Sequence, residues 1–317
     1  MNAVPWLRDQ IEYMNINGLE TYVYKIPNKS FIRKILAIIN LRRLMRKSRF
    51  SLIHCHWGYN AIFAYNNRIP LITTYHGSDL QGDLKNNGSV NIKGHILIIL
   101  SKIGTLLSTK NIFVSKELKN LKPKVNLKKK DYIIPMGFNS KMFLPLDKEI
   151  AKKNLGLDLK KKYVLFAGNY SQKVKNYSLA EKAMNHLDTS YQLIKLNYAE
   201  HSNIPNYMNA SDVLLMTSFQ EGAPVIIKEA LACNLAIVST DVGDVKEIIK
   251  FIPGCFINKD RDPKKIAQLI EKSVLTDSTM IGIEKVKIYD AEKINYKVKC
   301  LYIDLLKDLK KGTKYIK

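Results

Sequence analysis

The sequence predicts an α/β protein made of two Rossmann-like, parallel-sheet domains that face a cleft. Apolar, strand-like runs alternate with helix-like segments along the chain, which is the pattern of parallel sheets with crossover helices. The series begins again after a linker at residues 139–147. With 317 residues, 46% of them apolar, the chain is long enough to bury two cores.

The same alternation predicts each element in order. The first half reads as helices at 3–17, 30–49 and 90–109 and strands at 21–26, 51–55, 71–74, 111–114 and 132–135. The second half reads as strands at 163–167, 191–196, 213–216 and 236–239 and helices at 177–186, 204–210, 225–233, 245–249, 262–274 and 291–309. We expect a first domain at 1–143, a second at 144–290, and a helix at 291–317 that packs back toward the first domain.

Charge is the unusual compositional feature. The chain holds 51 basic and 28 acidic residues, a formal net charge of +23, and residues 1–150 account for +15 of it. Such a field favours anionic partners, among them nucleotide diphosphates and anionic lipid. Nucleic acid is not favoured, because the lysines are dispersed and no platform of aromatic and basic residues is visible. Four scattered cysteines and no secretory signal lead us to expect a cytoplasmic location.

The stretch 211–244 carries residue types suited to holding a diphosphate. A strand delivers a polar loop, and Glu221-Gly222-Ala223-Pro224 then opens a helix. Gly222 lets backbone approach a ligand, and a helix N-terminus offers N–H groups and a positive dipole end. Glu229 follows on that helix, too far from Glu221 for a shared metal. From the residues alone, a capping Glu221 and a merely exposed Glu229 are an equally good interpretation.

This stretch, SDVLLMTSFQEGAPVIIKEALACNLAIVSTDVGD, resembles the donor-site signature of glycosyltransferase family 4. Leu235 and Asp244 stand where the family usually has proline and glycine. Further segments resemble the family in the same order: LIHCHWGYNAIFAY, LITTYHGSDL, NIFVSKELK, IIPMGFNSKMFLP and VLFAGN. The resemblance covers residues 1–310 and implies the GT-B fold and a retaining hexosyltransferase that uses a nucleotide sugar, UDP-linked by expectation.

The resemblance also implies roles for individual residues of the second domain. Glu229 is expected to bind the ribose of the donor. Glu221, with the backbone of Gly222, Ala223 and Pro224, is expected to contact the sugar and the diphosphate.

Lysines near the start of the second domain are the expected partners of the diphosphate. Lys175 is expected to neutralise it as it departs, although a plain surface lysine is the alternative. Many relatives carry an arginine where this chain has Asn169, so Lys173 is the candidate for a second cation.

His76 follows the strand at 71–74, with Gly77 and Asp79 just beyond it. In the family this histidine lines the reaction centre. Because the family's same-face substitution needs little help from a base, we assign His76 to positioning and transition-state electrostatics rather than proton abstraction. Gly77 and Asp79 are expected on the acceptor side. A histidine bonded within a turn is the alternative interpretation.

No cofactor is expected, and donor binding is expected to be independent of metal. His54 and His56 share one strand face, but no third ligand lies near them in sequence. Asp260 and Asp262 spell a DxD motif, but Asp262 precedes Pro263 and is better interpreted as a helix N-cap.

The predicted helix at 30–49 is strongly basic. Arg33, Arg42, Arg43 and Arg46 flank isoleucines and leucines, a composition typical of helices that lie on an anionic membrane surface. A helix that packs on the sheet and exposes a solvated basic face is an equally good interpretation.

The sequence therefore predicts transfer of a hexosyl unit to a growing cell-surface glycan or a lipid-linked acceptor, at the inner face of the plasma membrane. The alternatives are an inactive, truncated glycosyltransferase-like protein and a polyanion or nucleic-acid binder. Truncation is considered because relatives begin with a central strand and a glycine-rich loop, whereas the match here begins at Val4, in the helix that follows. We thus expect the first strand to be missing.

Overall fold

The computed structural model describes residues 4–27, 31–125, 131–166, 168–196, 200–276 and 281–312. The helices are α1 (Pro5–Ile16), α2 (Phe31–Lys47), α3 (Ala61–Ala64), α4 (Ser78–Gln81), α5 (Ile92–Leu107), α6 (Lys116–Asn120), α7 (Lys148–Asn154), α8 (Tyr177–Met184), α9 (Ile204–Ala210), α10 (Val225–Ala232), α11 (Val245–Ile249), α12 (Pro263–Val274), α13 (Ile281–Val286) and α14 (Ala291–Gly312). The strands are β1 (Ile53–His56), β2 (Leu71–Tyr75), β3 (Lys110–Phe113), β4 (Asp131–Ile133), β5 (Lys162–Phe166), β6 (Tyr191–Lys195), β7 (Val213–Met216), β8 (Ala236–Thr240) and β9 (Phe256–Asn258).

These elements form two compact units. The first takes the described parts of 1–83, 92–135 and 292–317, and the second takes 84–91 and the described parts of 136–291. The first unit holds a four-stranded parallel sheet in the order β1-β2-β3-β4. In its core, the sheet residues Ile72 and Ile112 pack against the buried face of α14. That face consists of Ile294, Val298, Leu301, Tyr302 and Leu305, at helical spacing.

The prediction of a strand at 21–26 is wrong, because these residues form no strand. A strand needs a neighbour that satisfies its backbone N–H and C=O groups. Within the described residues, β1 pairs with β2 on one side only, and no strand lies on its other edge. Residues 21–26 have the sequence pattern of a strand, but no described strand lies beside them to pair with.

The second unit holds a five-stranded parallel sheet in the order β6-β5-β7-β8-β9. The chain leaves β5 for β6 on one side and returns to β7 on the other, so the strand order reverses between β5 and β7. In open α/β sheets, ligands bind beyond the carboxyl ends of the strands at such a switch point. Residues 168–176 and 217–224 belong to the loops that follow those two strand ends.

The division of the chain differs from the predicted boundary at 143/144. Phe138 and Phe143 are buried in the core of the second unit. The predicted linker is therefore part of that unit. The short segment 84–91 also belongs there. A Cβ added to Gly88 would meet the ring of Phe219 at 2.7 Å, which shows how closely this segment packs on the loop after β7. No helix within the described residues is long and apolar enough to cross a bilayer.

Candidate active site

The loop between β7 and α10 is fastened to its surroundings by buried hydroxyl groups. Thr217 donates to the carbonyls of Lys175 and Asn176, both at 3.0 Å, and Thr240 donates to the carbonyl of Ser218 at 2.7 Å. Gly243 lies so close that a Cβ there would meet the carbonyl oxygen of Gly222 at 2.8 Å. The loop is therefore held in place before any ligand arrives.

Lys175 and Glu221 form an ion pair at the switch point. The Lys175 ammonium lies 2.7 Å from Glu221 Oε1, and the Ser218 hydroxyl donates to the same oxygen at 2.7 Å. The two charged side chains are 21% and 15% exposed, so both remain within reach of a ligand. Gly168 makes room for this arrangement, because a Cβ there would meet the Lys175 side chain at 3.1 Å.

The remaining predicted residues of the loop at 168–176 are Lys173 and Asn169, which differ in how available they are to a ligand. Lys173 is exposed and opens the 3₁₀ turn that ends at Lys175. Asn169 is exposed, but its side-chain oxygen accepts from the backbone N–H of Ser171 at 2.9 Å and from its hydroxyl at 2.6 Å. Asn169 therefore shapes its own loop, and the cations available here are Lys175 and Lys173.

The second predicted glutamate, Glu229, is held on the first turns of α10. Pro224 is the N-cap residue, and Gly222, Ala223 and Pro224 are all buried. Glu229 itself is 8% exposed, with His201 Nε2 3.9 Å from Glu229 Oε1. A carboxylate at this depth has little freedom, which suits directed hydrogen bonding to a ligand's hydroxyl groups.

Sequence reasoning missed Lys228, which fixes α10. Its ammonium is fully buried, donates to the carbonyl of Met136 at 3.1 Å and lies 3.6 Å from Asp244 Oδ2. It also stands over the ring of Tyr289 at 5.0 Å. Burial lowers the pKa of Lys228 and the Asp244 carboxylate opposes that shift. The signal in the sequence was Asp244, an acidic residue where the signature that the stretch resembles usually has glycine.

In the first unit, His76 and Gly77 lie at the carboxyl end of β2 and are organised by Asp79. The Asp79 carboxylate is fully buried and accepts from the backbone N–H groups of Gly58 at 3.0 Å, Gly77 at 2.8 Å and His76 at 3.2 Å. Burial raises the pKa of Asp79, and these donors oppose the shift. These bonds show that the buried Asp79 carboxylate orients the loop. Its predicted place on the acceptor side stays a prediction.

His76 belongs to a row of histidines. Its Nε2 lies 3.0 Å from His56 Nδ1, and the ring of His56 lies 4.4 Å from that of His54. Burial lowers the pKa of His76 well below the ordinary range, His56 lowers it further, and burial lowers the pKa of His56 to about 4. His76 is thus neutral at pH 7, so its side chain can form hydrogen bonds but carries no charge.

Two tryptophans that sequence reasoning did not single out flank this histidine. The rings of Trp6 and Trp57 lie 4.9 Å and 5.2 Å from that of His76. Trp57 has a φ of +65°, a conformation that L-residues rarely adopt, and its backbone N–H donates to the Thr74 carbonyl at 3.0 Å. The strain is offset by this pairing at the end of β1.

The two motifs considered for metal have other partners. His54 bonds through Nε2 to the Thr74 hydroxyl at 2.7 Å and through Nδ1 to the Tyr302 hydroxyl. Asp262 caps α12 by accepting from the backbone of Lys264 and Lys265, which confirms the predicted N-cap. Among the described residues, no cluster of three or more His, Cys, Asp or Glu is arranged to hold a metal ion.

Family models match both halves of the chain. The model described as Glycosyltransferase Family 4 matches residues 8–140, and the model described as Glycosyl transferases group 1 matches residues 178–275. The chain is a glycosyltransferase of the family 4 type. The second match holds the loop with Glu221 and the helix with Glu229, and the first holds the loop with His76.

Curated relatives of this glycosyltransferase are remote. It is 24% identical over 312 residues to the N-acetyl-alpha-D-glucosaminyl L-malate synthase of Bacillus anthracis, covering 86% of this chain and 79% of the relative. It is 25% identical over 269 residues to an uncharacterized glycosyltransferase of Methanocaldococcus jannaschii, covering 76% of this chain and 70% of the relative.

Solved structures confirm the predicted GT-B fold for the glycosyltransferase. Sucrose-phosphate synthase from Thermosynechococcus elongatus matches with a TM-score of 0.80 at 16% identity, over 96% of this chain and 93% of the other. Anabaena HepE, solved in complex with UDP-glucose, matches with a TM-score of 0.65 at 15% identity, over 92% and 88%. At such identities the likeness concerns the fold alone.

Proposed function

We propose that this glycosyltransferase transfers a hexosyl unit from a UDP-linked sugar, with retention of anomeric configuration, to a growing glycan or a lipid-linked acceptor. The observation that carries the proposal is the pair Lys175–Glu221, fastened at the switch point of the second unit and still partly exposed. The HepE complex with UDP-glucose adds support from a protein of the same fold.

The second unit would bind the donor. Glu229 would accept hydrogen bonds from the ribose hydroxyls, and the backbone at Gly222–Pro224 would contact the sugar and diphosphate. Lys175 would exchange part of its contact with Glu221 for a diphosphate oxygen, and Glu221 would then be free to accept from a sugar hydroxyl. Lys173 is the nearby candidate for a second cation.

The reaction would break the bond between the anomeric carbon and the diphosphate oxygen, whose electron pair stays with the diphosphate. The acceptor hydroxyl would form the new bond on the same face and pass its proton to that departing oxygen. Lys175 would stabilise the charge that develops on the diphosphate, and an electrostatic contact of this kind is worth about 3 kcal/mol in a closed site. His76, being neutral, would position a reactant through hydrogen bonding.

The acceptor is proposed to be presented at a membrane. Arg33, Arg42, Arg43 and Arg46 are exposed on α2, a helix without acidic residues, and would attract anionic lipid at the inner face of the plasma membrane. No cofactor enters the proposal, and donor binding is proposed to need no metal.

A thermal-shift screen with UDP, UDP-glucose, UDP-N-acetylglucosamine and GDP-mannose tests the donor assignment. A ligand at 100 times its dissociation constant stabilises the fold that binds it by roughly 2.7 kcal/mol. We expect UDP and at least one UDP-sugar to raise the melting temperature, with or without EDTA, and NMR of the product to show retention. Binding that EDTA abolishes and manganese restores contradicts metal independence, and a response to GDP-mannose alone contradicts the UDP assignment.

A further inference from the structure

Helix α5 of the first unit leaves a row of large apolar residues exposed. The residues it buries are small or polar: Gly94, Ser101, Gly104 and Thr105. Five large apolar residues, which we call the apolar stripe, are between 40% and 82% exposed. They are Ile92, Ile96, Ile99, Ile103 and Leu106.

Close packing explains the buried side of α5. A Cβ added to Gly104 would clash with the carbonyl oxygen of Gly58, so the helix approaches the chain after β1 closely enough to need glycine. Packing does not explain the outward side, where any polar residue would fit. Contiguous exposed apolar surface of this kind marks an interaction site.

The apolar stripe is straight. Its members follow one another at steps of four, three, four and three residues, which keeps them on one face of an α-helix. At 1.5 Å per residue they extend over about 21 Å. A line of this length lets the whole helix lie flat against one partner.

Helix α2 exposes a second set of apolar residues and shares a neighbouring helix with α5. Helix α3 contacts both α2 and α5, and the Lys34 ammonium of α2 lies 5.8 Å from the centre of the Phe63 ring in α3. The exposed apolar residues of α2 are Ile32, Ile35, Leu36 and Ile39.

Charge selects the partner. Helix α2 carries six basic residues and helix α5 carries two, and neither helix has an acidic residue. A second copy of this chain on the same face would bring positive charge against positive charge, whereas an anionic bilayer offers the opposite charge at its surface and hydrocarbon just below it.

We propose that α5 docks on an anionic lipid bilayer, with the apolar stripe inserted below the headgroups and the basic side chains of α2 on the lipid phosphates. This extends the proposed membrane contact of α2 and rests on it, by naming the element that enters the apolar layer. Docking requires no donor nucleotide, so it can fail or succeed separately from the proposed reaction.

Co-sedimentation with vesicles tests the proposal on the full chain. Vesicles of phosphatidylcholine with about a third phosphatidylserine are compared with phosphatidylcholine alone, since anionic headgroups supply the attraction. The test variant is Ile96→Gln/Ile99→Gln/Ile103→Gln. Its matched control is Ile150→Gln/Leu159→Gln/Ile288→Gln, three similarly exposed apolar residues of the second unit.

We expect wild type and control to bind the anionic vesicles, and the stripe variant to bind at least about tenfold more weakly because it lacks the apolar contribution. Arg42→Gln/Arg43→Gln/Arg46→Gln should also lose about tenfold, whereas Lys160→Gln/Lys182→Gln/Lys264→Gln should not. Circular dichroism and the shift caused by UDP show that each variant is folded and that the donor site is intact.

Three results overturn the proposal. If the stripe variant binds vesicles as well as wild type, the apolar stripe does not contact the bilayer. If wild type binds neutral and anionic vesicles equally, charge does not select the partner. A dimer in analytical ultracentrifugation that the stripe variant alone abolishes, without vesicle binding by wild type, assigns the face to a second copy instead. Vesicle binding without any UDP shift leaves this inference standing and rejects the proposed donor.

Discussion

The loops after β7 and after β2 place carboxylates at strand ends in two different ways. In the second unit, Glu221 pairs with Lys175 at 2.7 Å, and both side chains keep some exposed surface. In the first unit, Asp79 is fully buried and bonds to three backbone N–H groups. A paired charge near solvent can exchange its partner for a ligand, whereas a buried carboxylate bonded to backbone is committed to the fold. Activity and stability should therefore respond in opposite ways to substitutions in the two loops.

Lys175→Ala should show the largest effect on activity. Its proposed role is to stabilise the departing diphosphate, and loss of such a cation lowers kcat by about a hundredfold or more. Stability should hardly change, because partly exposed ion pairs contribute at most about 1 kcal/mol. Steady-state kinetics should show kcat falling more than the apparent affinity for the donor. Lys182→Ala, at an exposed lysine of α8, is the control, and a Lys175→Ala enzyme with unchanged kcat refutes the role of this lysine.

Asp79→Ala should show the reverse pattern. It leaves three backbone donors without their acceptor in a buried site, which lowers the free energy of unfolding by about 3 kcal/mol. Urea denaturation measures the loss, with the exposed Asp241→Ala as control. An unchanged midpoint for Asp79→Ala would mean that water reaches this loop and that the comparison between the two loops is wrong.

Lowering the pH should lower the free energy of unfolding, because of the histidines in the first unit. Burial lowers the pKa of His56 to about 4 and holds those of His54 and His76 well below the ordinary range. Between pH 7 and pH 5 the unfolded chain therefore binds protons that the folded chain does not, so stability falls as the pH falls.

From His56 alone, the loss in free energy of unfolding over that interval is about 2 kcal/mol. Denaturation at a series of pH values measures it. His56→Gln should flatten the dependence, and the exposed His186→Gln should leave it unchanged. A wild-type protein equally stable at both pH values contradicts the lowered pKa values of these histidines.

Glu229→Ala should give the smallest of these effects. It removes the proposed hydrogen-bonding partner of the ribose, so UDP and UDP-sugar should both bind about tenfold more weakly. Isothermal titration calorimetry measures both affinities, and Glu271→Ala on the exposed side of α12 is the control. If only the sugar nucleotide weakens, Glu229 contacts the sugar rather than the ribose.

Local signals determined many elements and the donor loop. The bounds of α9, β7 and α11 agree with their predicted residues, and Asp262 with Pro263 starts α12 as predicted. Such features depend on neighbours in the chain: apolar runs, caps and a proline whose φ suits a first turn. The stretch 211–244 brought Glu221 and Glu229 into view for the same reason, since its residues are contiguous.

Tertiary structure alone decided the features that depend on distant partners. Residues 21–26 have the pattern of a strand but no strand beside them, and Phe138 belongs to the second unit because an apolar core receives it there. Lys175 pairs with Glu221 because β5 and β7, the strands before their two loops, are neighbours in the sheet. Helix α5 shows the limit most directly, because its sequence carries apolar residues along its whole length, and only its close packing against Gly58 decides which of its apolar residues stay exposed.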